Sequence, residues 1–131
     1  MDDVVVHVEA AINPTENEEK VRRAVENTFG TLETQVKPVG SGQFLIGEAT
    51  SRQALVKFRN LLQREHIRAA ARTVLIRGIE RTSVIFCLNK QVAFADHISF
   101  STEPNESPLG PLLVEIKTQD PRQIVEYLTA Y

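Results

Sequence analysis

The chain has 131 residues, 42% of them hydrophobic and 24% charged, which is the size and make-up of one soluble globular domain. That length buries enough surface to need no metal or disulfide, and the single Cys87 excludes a disulfide scaffold and fits a reducing cytoplasm. No apolar run reaches the roughly 20 residues of a membrane helix, and the acidic start MDDVVVHVEA lacks the basic flank of an export signal.

Val4 to Ile12 is β-branched and partly alternating, and predicts a first strand closed by Pro14. Thr15 with Glu18 forms a capping-box pattern, and Glu16 and Glu19 place negative charge in a helix's first turn. Val21, Ala24, Val25 and Phe29 give that helix its apolar face, and Gly30 stops it. Thr31 to Val39, the turn Gly40-Ser41-Gly42 and Phe44 to Ala49 read as an antiparallel hairpin. Thr50 and Gln53 open the next helix, whose stripe is Leu55, Phe58, Leu61 and Leu62. A second stripe, Ile67, Ala70, Ala71 and Val74, sits roughly 150° around from the first at 100° per residue. The phase shift predicts a break between Gln63 and His66, and Gly78 ends the second helix.

Ser83 to Leu88 predicts a buried strand, Asn89-Lys90-Gln91 a hairpin turn, and Val92 to Phe100 the returning strand. Thr102 to Ser107 is a polar loop, Pro108-Leu109-Gly110-Pro111 a rigid lead-in, and Leu112 to Ile116 the last strand. Asp120 then caps a helix with Pro121 at its first position. The expected architecture is a single α+β domain over residues 1–131, with helices on a mostly antiparallel sheet in the order β-α-β-β-α-α-β-β-β-α.

The mild net charge of −2 hides an uneven distribution. Residues 52–81 hold Arg52, Lys57, Arg59, Arg64, Arg68, Arg72, Arg77 and Arg81 against only Glu65 and Glu80. That stretch carries about +6, and the rest of the chain about −8. Arg64, Arg68 and Arg72 are spaced i, i+4, i+8, with Lys57 seven residues before the first. On a continuous helix they form a row about 12 Å long that could follow two or three phosphates, although the predicted break rotates its halves. A solvated helix face accounts for the same residues. Lys90 and Gln91, at the expected hairpin tip, would reach phosphate or base edges. Aromatics are scarce and tryptophan absent, so structured RNA suits the chain better than a single strand laid on stacking rings.

Patterns for catalysis are missing. Gly40-Ser41-Gly42 lacks the rest of a phosphate loop, and His7, His66, His97 and Cys87 have no metal-ligand spacing. Cys87 reads as an inert core thiol, and no nucleophile has a base beside it. No enzyme, metal or cofactor is expected.

Asn13-Pro14-Thr15-Glu16, the Leu61 to Leu75 stretch around Arg72, Leu88-Asn89-Lys90-Gln91 and Pro108-Leu109-Gly110-Pro111 occur in this order along the chain. With them the sequence resembles an uncharacterised archaeal family of small conserved proteins, grouped with predicted exosome-associated RNA-binding proteins. Members are similar in fold to the ribosomal protein that binds 5S RNA. The resemblance implies an α+β fold of that type, a cytoplasmic archaeal setting and RNA binding, and no established activity. Carried over by position, the family's recurrent residues are Pro14, Thr15, Glu16, Arg72, Asn89, Lys90, Gln91, Pro108, Gly110 and Pro111. The leading expectation is a non-catalytic module that contacts structured RNA, ribosomal or other, through residues 52–81 and the 89–91 hairpin, with Lys57, Arg64, Arg68, Arg72, Lys90 and Gln91 as contacts. The alternative is a homodimeric interaction protein whose arginines pair with acids such as Glu103, Glu106 and those of the first helix.

Overall fold

The structure, a computed structural model, describes residues 4–40, 42–50, 52–101 and 110–130, with the backbone alone at residue 39. Its elements run β1 (Val5–Ile12), α1 (Glu18–Phe29), β2 (Glu33–Val39), β3 (Gly42–Ala49), α2 (Arg52–Arg64), α3 (Arg68–Arg77), β4 (Ile79–Glu80), β5 (Ser83–Asn89), α4 (Lys90–Phe94), β6 (Phe100–Ser101), β7 (Pro111–Lys117) and α5 (Pro121–Thr129). The fold is α+β, as expected, and the element order follows the predicted one with two short additions, β4 and α4. The strands form one open antiparallel sheet in the order β2-β3-β1-β7-β5-β4, and β6 pairs with the far end of β5.

Alternation along the strands sorts the two faces. Val6, Val8 and Ala10 of β1, Leu112, Val114 and Ile116 of β7, and Val84, Phe86 and Leu88 of β5 are buried beneath the helices. The helices return Val21, Val25 and Phe29 from α1, Leu55, Phe58 and Leu62 from α2, and Ile124, Val125 and Leu128 from α5. Phe29, Phe58 and Phe86 bind these layers as an aromatic chain, with ring centroids 5.2 and 5.5 Å apart. The break between the basic helices falls where the phase shift puts it: α2 ends at Arg64, α3 begins at Arg68, and His66 turns the chain at a φ of 56°.

Several local expectations are overturned. Asn17, not Thr15, caps α1, because a turn closed by Glu16 N–H on Asn13 O delays the helix by two residues. Asn89 caps a helix instead of opening a hairpin, its side chain accepting from Val92 N–H at 3.0 Å. The returning strand predicted over 92–100 therefore shrinks to Phe100–Ser101. Cys87 lies on the open face of β5, half-buried, rather than in the core, and burial pushes its thiol pKa up. The loop 102–107, Pro108 and Leu109, and with them Glu103 and Glu106, lie outside the described residues.

The open face of the sheet is acidic. Strand register aligns Glu33, Glu48, His7 and Glu115 in one row across β2, β3, β1 and β7. His7 bridges Glu9 at 3.0 Å and Glu48 at 3.1 Å. Partial burial alone would lower its pKa, but the bonds to the two carboxylates prevail and hold it above the ordinary 6.5. A raised folded pKa adds stability that is complete below about pH 6.5 and is lost as pH rises through the folded value. His7→Gln is expected to remove that decline from the urea midpoint measured between about pH 6 and 8. An unchanged pH profile would show that the bridge contributes nothing in solution.

Candidate nucleic-acid interface

Helices α2 and α3 carry seven cations and no carboxylate, and none of the seven is buried. Lys57 is exposed, with its stem near the end of α1. Arg64 turns toward the segment after α4, its Nη1 3.5 Å from the Asp96 carboxylate, its Nη2 donating to the Asp96 carbonyl and its Nε 3.7 Å from Glu65. Arg68 donates to the Ala130 carbonyl at 3.1 Å, and Arg72 pairs with Glu126 at 2.5 Å. Arg59 follows the same pattern, donating to Tyr127 O at 2.9 Å with its guanidinium 5.2 Å from the Tyr127 ring centroid. The three arginines thus form no single row: Arg68 and Arg72 lean on α5, and Arg64 faces the other way.

Ion pairing does not withdraw these groups from use. The side chains of Arg64 and Arg72 remain 49% and 45% exposed, and pairs so hydrated exchange readily for a phosphate. Arg52, Arg77 and Arg81 belong to the basic stretch but fall outside the i, i+4 row, so spacing alone does not single them out. They are exposed and, among the described residues, pair with no carboxylate.

The sequence motifs meet elsewhere, at the end of the sheet where β1 stops and β5 and β7 pair Asn89 with Pro111. Lys90 is no outward-reaching tip. Its side chain is 3% exposed, and Nζ donates to the Ala11 carbonyl at 2.7 Å and to Glu16 at 2.9 Å. The cap by Asn89 starts a helix there and turns Lys90 inward. Glu16 also accepts the Asn13 N–H at 3.0 Å and the Asn13 amide at 2.7 Å. Burial alone would raise the Glu16 pKa, but the Asn13 and Lys90 donors outweigh it and hold the carboxyl below its ordinary 4.5. Over this pair opens a cavity of about 300 Å3, walled by Thr15, Asn17, Lys20, Val21, Gln91 and Phe94. Gln91 is exposed at its rim, whereas Arg72 lies on α3 against α5 and takes no part. Among the described residues no group of three His, Cys, Asp or Glu side chains could hold a metal ion, and no helix is long and apolar enough to cross a membrane.

A family model described as RNA binding matches residues 5–119. The chain belongs to this RNA-binding family. Relatives agree over nearly the whole length: UPF0201 proteins of Pyrobaculum arsenaticum and Sulfolobus acidocaldarius are 40% and 39% identical over 124 residues. The first alignment covers 94% of this chain and 87% of the relative, the second 95% and 86%. The crystal structure of a UPF0201 protein from Methanococcus jannaschii superposes with a TM-score of 0.84 at 26% identity, covering 95% of this chain and 98% of that one. A DUF54 protein from Methanothermobacter thermautotrophicus shares the fold, with a TM-score of 0.68 at 19% identity over 95% of this chain and 93% of its own. The archaeal kinship read from the motifs is thus met, and the family's own description names the ligand class of its members.

Proposed function

We propose that the protein is a non-catalytic module of the cytoplasm that holds structured RNA, ribosomal or other, against α2 and α3. The observation that carries this reading is seven cations with no carboxylate on two adjacent helices, while the acidic row of Glu33, Glu48 and Glu115 lies on the other face of the sheet. A polarised surface of this kind steers a polyanion to one side of the molecule. Arg52, Lys57, Arg64, Arg72 and Arg77 contact phosphates in this reading, Arg68 supports them, and Gln91 marks an edge of the surface. Lys90 serves by position, holding α4, and not by contact. Arg64 and Arg72 find carboxylates within one chain, so a second copy is not needed to account for them.

Anisotropy titration against structured RNA, single-stranded RNA and duplex DNA across a salt series tests the proposal. Contact with three to five phosphates gives a log-log salt slope of roughly −2 to −5. Arg52→Gln, Lys57→Gln and Arg77→Gln together should weaken binding and flatten the slope by about 1 for each phosphate no longer neutralised. Exposed as they are, these changes should leave the melting temperature nearly unmoved. Unchanged affinity would place the RNA on another surface. No binding even at low salt, where electrostatics are strongest, would refute the proposal.

A further inference from the structure

Phe94 stands apart from the rest of the surface. It is the one aromatic among the large apolar side chains left exposed by the described residues, at 38%, and it lines the cavity between α1 and α4. Its platform is pinned from three sides. Asn27 donates to the carbonyls of Ala93 and Phe94 at 3.0 and 3.1 Å, Asn89 caps the helix, and the Glu16–Lys90 pair ties the first turn to the loop before α1. Lys20 Nζ lies 5.8 Å from the ring centroid. Thr15 and Gln91 are exposed and make no side-chain hydrogen bond among the described residues.

A flat apolar ring, a cation beside it and two uncommitted polar side chains are the parts that hold a nucleobase and its phosphate. The ring stacks, the Gln91 amide offers both donor and acceptor to a base edge, and Lys20 meets the phosphate. Arg64 at the end of α2 pairs with Asp96, two residues beyond Phe94, so the end of one basic helix lies beside the segment that follows the ring. Side chains cannot read an A-form duplex through its deep major groove, whereas an unpaired base can leave the stack and enter a pocket.

We propose that this cavity receives one unpaired base of an RNA whose helical part lies along α2, stacked on Phe94 and bonded at its edge by Gln91. The inference rests on the RNA-binding reading above. The same chemistry suits a free mononucleotide, but Arg64, held at Asp96 just past Phe94, sets a further cation next to the site and favours a base within RNA.

The test compares an RNA hairpin carrying a single bulged 2-aminopurine, the same hairpin without the bulge, and AMP. Stacking one base should make the bulged hairpin bind roughly ten-fold tighter, and the 2-aminopurine fluorescence should fall on binding. Phe94→Leu keeps apolar volume without the ring face, so it should abolish both the preference and the quenching. Its affinity for the unbulged hairpin, and the salt slope, should stay as in the wild type, which also reports that the variant is folded. Gln91→Ala should reduce the preference in part. Equal binding of the two hairpins, equal weakening of both by Phe94→Leu, or displacement of the bulged hairpin by AMP at matching concentration would overturn the proposal while leaving RNA binding intact. Failure of both hairpins to bind at low salt would remove the RNA-binding reading and this inference with it.

Discussion

Lys90→Met should cost about 3–5 kcal/mol of folding stability, the range for removing one member of a buried ion pair. For a domain of this size the whole stability is roughly 5–15 kcal/mol, so the change consumes a large share of it. Without the ammonium, Glu16 keeps only the two Asn13 donors, and the Ala11 carbonyl loses the Lys90 N–H. Glu16→Leu combined with Lys90→Met should recover most of the loss, because exchanging both charges for apolar volume leaves nothing unpaired. Urea denaturation of the two single variants and the double variant at pH 7 measures the coupling. The acid limb gives a second readout. A depressed folded pKa makes Glu16 contribute stability above about pH 4.5, and this is lost as pH falls through the folded value. Glu16→Gln should therefore start lower at neutral pH and show a shallower fall in acid than the wild type. A Lys90→Met protein within about 1 kcal/mol of the wild type would mean that the pair does not hold α4 in place.

The contrast between what could and could not be read beforehand is physical. The kink after Arg64 was legible because two apolar stripes out of phase on one helix cannot both face the same core; Leu62 and Leu75 are buried only because the chain turns at His66. Asp120 and Pro121 announced α5 for an equally local reason, and the Asp120 side chain does accept from Gln123 N–H. Lys90 was not legible. Asparagine is favoured both in turns and at helix caps, so Asn89 did not choose between a hairpin and α4, and five residues are too few to show a helical period. The carboxylate that makes burial of Lys90 tolerable is Glu16, 74 positions away, and no local pattern points to it. The same distance hid the cavity, whose walls come from residues 15–21 and 90–94. The concentration of arginine was plain in composition, but its direction was set by α5. Tyr127 and Ala130 offer carbonyls to Arg59 and Arg68, and Glu126 offers a carboxylate to Arg72, groups that only the tertiary fold brings near.

Gly78→Ala is expected to be at least as damaging, for a purely steric reason. Gly78 has φ −85° and ψ −2°, a conformation open to any residue, so no backbone preference is at stake. A Cβ there would lie 2.0 Å from the Ile85 carbonyl oxygen and 3.0 Å from its carbon. Those are backbone atoms of β5, and Ile85 N–H donates to Gly78 O at 2.9 Å, so the strand is bonded to the residue it would have to leave. Overpacking a core usually costs about 1–3 kcal/mol where side chains can yield; with backbone on both sides the cost should exceed about 3 kcal/mol. Gly40→Ala is the matched control. Its φ is +60° and nothing lies within 4 Å of a new Cβ, so it should lose only the left-handed penalty of about 1–2 kcal/mol. Urea midpoints for the two variants separate the causes. A Gly78→Ala protein no less stable than Gly40→Ala would mean that the end of α3 can lift from β5. That would bear on the proposed RNA contact, since Arg72 and Arg77 ride on the same helix. An α3 free to lift could not hold their charges in fixed register with α2, and the salt slope for RNA would then be the same in Gly78→Ala as in the wild type. The close approach at Gly78 instead makes α3 a rigid arm of the sheet, and the expected outcome is a variant that loses stability and RNA affinity together.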